Sequence, residues 1–263
     1  MKIAPIFARA ERPPLSLDDR GRKAASMLDT FDLIVVINLD HRKDRLREIG
    51  RQLEAVGLDF THPQLVRLSA SCFETAGEFP SIGARGCYHS HLNALRLAEA
   101  RGARSVLIVE DDADFVGEIA ETLDELRGRN WSVFYGGHLE RRDDQDGASP
   151  RIVDDCHFIS SLCPRSAIMG AHFIGFRGRA IPAVIAHLEG IMSRPQGHAD
   201  GGAMHVDGAY NWARRANPEL RNYIAERPIA VQRSSRSDIA ALKWWDQLPV
   251  SRELAALARG LRR

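Results

Sequence analysis

Residues 105–109 read Ser-Val-Leu-Ile-Val, and they are followed without a break by Glu110, Asp111 and Asp112. A short, continuous apolar run that is rich in β-branched residues is typical of a strand buried on both faces of a sheet. Residues 33–39, Leu-Ile-Val-Val-Ile-Asn-Leu, have the same character. Two such strands predict a central sheet that is covered by helices on both sides.

The segments around these two strands alternate between helical and strand patterns. Apolar side chains fall at helical spacing in residues 46–56, 87–101 and 119–126, and further strands are predicted at 65–68 and 131–135. Repeated β–α alternation predicts a single α/β domain, Rossmann-like, with a mostly parallel sheet and flanking helices.

The second half of the chain is less regular. It predicts strands at 171–176 and 229–232 and helices at 181–188 and 208–216. Residues 138–155 are charged and contain glycine and proline, which predicts a mobile loop.

Three segments define the expected domain organisation. Residues 1–30 show no period and are interpreted as an N-terminal arm or linker, with a short helix near residues 23–28. Residues 31–250 form the α/β domain. Residues 251–263 predict a basic amphipathic C-terminal helix, because four apolar side chains share one face and arginines lie elsewhere.

Composition limits the classes of function. The net charge of +1 gives no reason to expect a nucleic-acid partner. No apolar segment approaches the roughly 18 residues of a membrane span, and the N-terminus lacks an apolar signal core, so a cytoplasmic location is expected. The C-terminal helix leaves two interpretations open: peripheral contact with anionic lipid at the inner membrane face, or simple packing on the domain.

Three consecutive carboxylates at the end of a buried strand are difficult to explain by folding alone. Like charges repel, and each loses hydration when it is partly buried. A divalent cation removes both costs, because Mg²⁺ and Mn²⁺ prefer oxygen ligands. Asp112 and Asp114 form an alternative pair of carboxylate ligands for such a site. The structural alternative is an exposed acidic turn that caps the helix starting near Gly117.

Cys87, His89 and His91 lie close together in the sequence, and thiol and imidazole groups are ligands for zinc. No second ligand pair with the spacing of a structural zinc site accompanies them. The sequence therefore favours free thiols and an ordinary helical face.

Three blocks of sequence resemble glycosyltransferase family 25, the lipopolysaccharide-biosynthesis type of galactosyltransferase to which collagen galactosyltransferases are related. Residues 36–45 resemble its opening strand and basic helix start. Residues 86–92, Gly-Cys-Tyr-His-Ser-His-Leu, resemble its Gly-Cys-x-x-Ser-His motif, and residues 109–112 resemble its Glu-Asp-Asp metal motif. The order and spacing agree over roughly residues 31–115, whereas the second half matches more loosely.

The resemblance implies a GT-A-type nucleotide-sugar fold, a UDP-sugar donor carrying galactose or glucose, and a Mn²⁺ or Mg²⁺ cofactor. The acceptor would be a glycan or a lipid-linked saccharide of the lipopolysaccharide type, whose hydroxyl attacks the anomeric carbon of the donor sugar with inversion. The resemblance assigns eight positions: Asn38, Arg42 and Arg45 near the nucleotide, Ser90 and His91 lining the donor site, and Glu110, Asp111 and Asp112 holding metal and diphosphate.

Several of these residues have a structural alternative. Arg42 and Arg45 could lie on a solvated helix face. Asn38 could be a buried residue that anchors the end of a strand, and His91 could be a core histidine with its hydrogen bonds satisfied.

The second half supplies candidates for the remaining roles. Asp207 is either the general base that deprotonates the acceptor hydroxyl or a helix N-cap. His172 and His205 are weaker candidates for metal or diphosphate contact. Arg233 and Arg236 either close over the leaving diphosphate or remain solvated, and residues 138–155 are a candidate lid.

Two other classes of function remain open. One is a nucleotide-sugar-binding protein without turnover. The other is an unrelated metal-dependent nucleotidyltransferase or phosphotransferase; the chain contains no P-loop motif, which removes only one group of such enzymes.

Overall fold

A computed structural model describes residues 17–143 and 158–233 of the chain. Within them the helices are α1 (Leu17–Thr30), α2 (Lys43–Ala55), α3 (Ile82–Ala100), α4 (Ile119–Arg127), α5 (Ala180–Met192) and α6 (Val206–Ala216). The strands are β1 (Leu33–Asn38), β2 (Leu65–Ser69), β3 (Ser105–Glu110), β4 (Ala113–Phe115), β5 (Val133–Gly137), β6 (Glu140–Arg142), β7 (Ile159–Leu162), β8 (Ala167–Met169), β9 (Phe173–Arg177), β10 (Asn222–Ala225) and β11 (Ala230–Gln232).

Seven strands form the central sheet in the order β2-β1-β3-β9-β5-β10-β7. The pairs β1–β2, β1–β3 and β5–β10 are parallel, whereas β9 is antiparallel to both of its neighbours and β7 is antiparallel to β10. Five of the seven strands therefore run in one direction. The predicted α/β architecture, a mostly parallel sheet with flanking helices, is confirmed.

The core lies on both faces of this sheet, as the unbroken apolar strands predicted. In β1, the side chains of Leu33, Val35 and Ile37 pack on the face covered by α3, α5 and α6. Ile34 and Val36 pack on the opposite face, against α1, α2 and α4. All six β1 residues are buried, so the strand is held in place from both sides.

The interpretation of residues 1–30 as an arm or linker is wrong for residues 17–30. These residues form α1, which packs against α4 through a hydrogen bond of 2.7 Å from Ser26 Oγ to Asp124 Oδ1. Met27 and the following Phe31 are fully buried in the core. The apolar contribution of this helix is small and irregularly spaced, which is why its sequence resembles a linker. Residues 1–16 lie outside the described residues.

Two other boundaries differ from the prediction. Helix α3 begins at Ile82, five residues before the predicted start, because Ser81 Oγ caps it by accepting a hydrogen bond of 3.0 Å from the Ala84 N–H. Residues 140–142, within the predicted mobile loop, form β6 and pair with β8. Residues 144–155 of the candidate lid, Arg236 and the predicted C-terminal helix lie outside the described residues.

None of the helices in the described ranges is both long enough and apolar enough to cross a lipid bilayer.

Candidate functional site

A cleft opens where the parallel strands β1, β2 and β3 end. It has an empty volume of about 890 Å³, part of it continuous with solvent. This is the position at which open α/β sheets bind their ligands, because the loops that follow neighbouring parallel strands diverge there. We call it the strand-end cleft. Seven of the eight donor-side positions line it: Asn38, Arg45, Ser90, His91, Glu110, Asp111 and Asp112.

Asn38, Arg45 and Asp111 form a buried network at the base of this cleft. Asn38 Nδ2 donates a hydrogen bond of 2.7 Å to Asp111 Oδ2, and Arg45 Nη1 donates one of 3.0 Å to Asp111 Oδ1. Arg67, which the sequence did not single out, donates from Nε to Asn38 Oδ1 at 3.0 Å. The network ties the end of β1 and the start of α2 to the end of β3. The structural alternative for Asn38, a buried residue that anchors the end of β1, is therefore present, and Asn38 also lines the cleft.

Asp112 is 3% exposed, yet its carboxylate is incompletely satisfied. Oδ2 lies 3.4 Å from Arg45 Nη1 and accepts a hydrogen bond of 3.2 Å from Gln232 Nε2. Among the residues that the structure describes, Oδ1 has no hydrogen-bond partner. Burial, reinforced by the nearby charge of Glu110 and partly offset by Arg45, raises the pKa of Asp112 to about 7. The acids are not an exposed helix-capping turn.

Glu110 and His91 form a pair across the cleft. His91 Nε2 lies 3.2 Å from Glu110 Oε1, and His91 Nδ1 lies 3.0 Å from the hydroxyl of Tyr210. Burial alone would raise the pKa of Glu110, but the hydrogen bond to His91 and the charge of Arg45 outweigh it and hold that pKa below its ordinary value. Tyr210 comes from α6, 119 positions along the chain, and no local pattern indicated it.

Ser90 has a structural role that shapes the cleft. Its Oγ donates to the Gly86 carbonyl at 2.7 Å and accepts a hydrogen bond of 2.8 Å from the Ser71 N–H. The loop after β2 is thereby fastened to α3, and Ser71 forms part of the cleft wall.

Gly86→Ala is expected to lower stability by about 1–3 kcal/mol, because overpacking of this kind displaces well-packed backbone. A Cβ at residue 86 would lie 2.7 Å from the carbonyl oxygen of Ser71. Gly50→Ala in α2 is the matched control, since a Cβ there meets nothing within 4 Å; it should stabilise the helix by roughly 0.5–1 kcal/mol. Urea denaturation of the two variants measures both effects. If Gly86→Ala were as stable as the unmodified protein, the loop containing Ser71 would have moved aside without cost.

Arg42 does not line the cleft. Its guanidinium pairs with Asp44, with Nη2 2.9 Å from Oδ2. Asp114, from the alternative pair of carboxylate ligands, pairs instead with Arg233, which also contacts Glu48. The expected contact of Arg42 with a nucleotide stays a prediction.

A second cavity, with an empty volume of about 500 Å³, adjoins the strand-end cleft and shares Cys87 and Glu110 with it. Asp207, His172 and His205 line this cavity. Asp207 is not the N-cap of α6, a position taken by His205. Its carboxylate accepts hydrogen bonds from the N–H groups of Gly170 at 3.0 Å and Gly208 at 2.7 Å.

His172 presents one ring nitrogen without a hydrogen-bond partner within the described ranges. Nε2 lies 3.1 Å from the Ala230 carbonyl, to which it donates a hydrogen bond. The other ring nitrogen, Nδ1, is buried.

The three consecutive acids share one cleft but do not converge on one point. Asp111 turns toward Asn38 and Arg45, and Asp112 turns toward Gln232. Across the described parts of the chain, the one group of three metal-ligating side chains whose ligand atoms lie within 4.8 Å of one another is Cys87, His91 and Glu110. Burial, together with the charge of Glu110, raises the pKa of the Cys87 thiol well above its usual range. His89 turns away and contacts the rings of Phe73 and Phe79.

Comparison with known proteins gives only distant matches. The sequence matches no family model and no curated protein. Among solved structures, A197 from STIV is similar with 13% identity and a TM-score of 0.38, over 80% of this chain and 97% of that one. The 4-diphosphocytidyl-2C-methyl-D-erythritol synthase from Anaerococcus prevotii has 13% identity and a TM-score of 0.41, over 84% and 82% of the two chains.

A third structure, mannose-1-phosphate geranyltransferase from Thermus thermophilus, has 12% identity and a TM-score of 0.30 over 76% of this chain and 58% of that one. These low scores assign neither a family nor an activity to the chain.

Proposed function

We propose that the protein is a metal-dependent glycosyltransferase that transfers galactose or glucose from a UDP-sugar to a hydroxyl of a glycan or lipid-linked saccharide. One observation carries the proposal. Residues from three separate blocks, at positions 38–45, 90–91 and 110–112, meet in one cleft at the carboxyl ends of parallel strands. Those are the blocks that resemble glycosyltransferase family 25.

The residues of the cleft fit a divalent cation of the Mn²⁺ or Mg²⁺ type. The buried Asp112 Oδ1 needs a partner, and Glu110 contributes a second carboxylate at the same cleft. Both oxygens of Asp111 accept hydrogen bonds from Asn38 and Arg45, so Asp111 serves first to position its neighbours. When bound, such a cation would supply positive charge to the departing diphosphate.

The two adjoining cavities suit a two-substrate reaction. A donor in the strand-end cleft and an acceptor in the second cavity would meet beside Glu110 and Cys87, the residues common to both. Asp207 faces the second cavity, where it would accept the proton of the acceptor hydroxyl as that oxygen attacks the anomeric carbon. His172, whose Nδ1 is buried and has no hydrogen-bond partner among the described residues, lines the same cavity.

The proposal is tested by measuring UDP release from a panel of UDP-sugars with Mn²⁺, with and without saccharide acceptors. Release from UDP-galactose or UDP-glucose that depends on metal and rises with an acceptor is the expected result. Thermal stabilisation by UDP-sugars without UDP release would favour a binding protein. Stabilisation by ATP or CTP with release of pyrophosphate would favour a nucleotidyltransferase.

Metal binding is expected to weaken as the pH falls below about 7, by up to about tenfold per pH unit, because a proton then occupies Asp112 and must leave. The pKa of Asp112 is raised from 3.8 to about 7. As the pH rises, Asp112 therefore loses its proton in the unfolded chain before it does so in the folded protein. The metal-free protein should therefore lose stability as the pH rises from about 4 to 7, and added metal should restore it.

The measurement is the rise in Tm caused by Mn²⁺ at pH 6 and at pH 8, with a larger rise expected at pH 8. Asp112→Asn should remove this difference. An equal rise at both pH values in the unmodified protein would contradict the assignment of Asp112.

A further inference from the structure

Cys87, His91 and Glu110 bring a thiol, an imidazole and a carboxylate together at the boundary between the two cavities. Cys87 and His91 are four positions apart in α3, so they lie on one helix face. Glu110 ends β3 beside that face. One ligand atom from each lies within 4.8 Å of the others. This donor set contains sulfur and nitrogen, whereas the ligands proposed for Mn²⁺ or Mg²⁺ at Asp112 are carboxylate oxygens.

From this geometry we propose that Cys87 Sγ, His91 Nε2 and a Glu110 carboxylate oxygen bind a zinc ion. Sulfur and imidazole ligands select zinc over magnesium or manganese, which favour oxygen. Three protein ligands with a fourth position open is the arrangement of catalytic rather than structural zinc sites.

The distances agree with tetrahedral coordination. Zinc bonds of about 2.0–2.1 Å to nitrogen and oxygen place those two atoms about 3.3 Å apart, and a bond of about 2.3 Å to sulfur gives edges near 3.6 Å. His91 Nε2 and Glu110 Oε1 are 3.2 Å apart. The sulfur lies within 4.8 Å of both partners, so at most a small rotation of Cys87 completes the site.

His91 is already oriented as a metal ligand. Its Nδ1 lies 3.0 Å from the hydroxyl of Tyr210, and both side chains are buried. A zinc ion would replace the proton through which Nε2 contacts Glu110, and Nδ1–H, by donating to the Tyr210 hydroxyl, would keep the resulting lone pair directed at Cys87 and Glu110. A hydrogen bond from the second ring nitrogen fixes the tautomer and direction of most metal-bound histidines.

The open coordination position would face substrate space, because Cys87 and Glu110 line both the strand-end cleft and the second cavity. The inference does not rest on the proposed transferase activity. Glu110 is shared with the site proposed around Asp112, whereas Cys87 and Tyr210 distinguish the two sites.

Cobalt(II) titration of the metal-stripped, full-length protein tests the site, since cobalt replaces zinc and a thiolate ligand gives a charge-transfer band in the near ultraviolet. We expect one equivalent of cobalt to produce this band and zinc to displace it. Cys87→Ser should abolish the band and lower zinc affinity by about a hundredfold or more, because the loss of even an outer partner costs 10- to 100-fold.

Three further variants make the result specific. Cys72→Ser is the matched control, because Cys72 lines the same cleft but lies outside the group, and it should retain the band. Tyr210→Phe should keep the band but weaken zinc binding about tenfold or more. Asp112→Asn should keep the charge-transfer band and the zinc affinity of the unmodified protein.

Thermal unfolding without metal verifies that each variant folds. Cobalt binding without a thiolate band, or a band that survives Cys87→Ser, would overturn the proposal. Loss of zinc binding in Asp112→Asn with retention in Cys87→Ser would place the ion at the acids instead. None of these outcomes depends on UDP release, so the zinc site and the transferase proposal can fail separately.

Discussion

Asp112→Asn is expected to reduce metal-dependent UDP release about a thousandfold while raising the Tm of the metal-free protein. The loss follows from removing a carboxylate of the proposed metal site, for which we expect about 4 kcal/mol of transition-state stabilisation, or roughly three factors of ten. The gain follows from burial: Asp112 is 3% exposed, and Oδ1 has no hydrogen-bond partner within the described residues. A neutral amide of the same shape avoids the cost of that buried charge.

The matched control is Asp114→Asn, two positions further along. Asp114 pairs with Arg233 and lines neither cavity, so its variant should retain most of the UDP release. The two variants are compared by initial rate over a range of Mn²⁺ concentrations and by differential scanning calorimetry. Near-normal release by Asp112→Asn would refute the metal site at Asp112. A lower Tm for that variant would show that its carboxylate stabilises the fold.

Arg214→Ala is expected to destabilise the protein by about 3 kcal/mol or more, because it leaves several buried acceptors without donors and opens a cavity. Arg214 is 1% exposed. It donates to the carbonyls of Cys163 at 3.1 Å and Ser166 at 2.6 Å, and to Asn211 Oδ1 at 2.6 Å. Its guanidinium also lies 5.3 Å from the ring centroid of Tyr135. The side chain therefore fastens α6 to the turn before β8.

Arg215→Ala tests whether burial, and not charge, is responsible. Arg215 is exposed and donates a hydrogen bond of 3.2 Å to the Arg165 carbonyl, so its removal should change stability by no more than about 0.5 kcal/mol. For a domain of this size, 3 kcal/mol corresponds to a fall in Tm of about 6–12 °C. Similar shifts in both variants would contradict the role given to Arg214. Because α6 also carries Asp207 and Tyr210, Arg214→Ala should weaken ligand binding at the second cavity as well.

The two proposed cation sites differ in the charges and side chains around them. Arg45 partly neutralises Asp111 and Asp112, and both carboxylates lie on the α2 side of the strand-end cleft. Glu110 turns to α3 and meets His91. Successive residues of an extended chain point to opposite sides, so in a continued strand Glu110 and Asp112 would share one side. Glu110 and Asp112 nevertheless differ in partners, because the strand ends at Glu110 and Asp112 lies beyond it.

The sequence alone located five of the seven strands of the central sheet, all but β7 and β10, and the position of the acids. Apolar runs of β-branched residues specify strands that are buried on both faces, and β1 and β3 form where they were predicted. The sequence also predicts where β3 ends, because its apolar run stops at Glu110. The carboxyl ends of parallel neighbours then bring Asn38 and the acids to one edge.

Only the tertiary structure decided the direction of β9 and the partners of the site residues. A strand buried on both faces has the same pattern in either direction, so β9 could be located from its sequence but not oriented between β3 and β5. The contacts from Asn38 to Asp111 and from His91 to Tyr210 join residues 73 and 119 positions apart. The first contact depends on which strands are neighbours and the second on how α3 and α6 pack, and no sequence period specifies either.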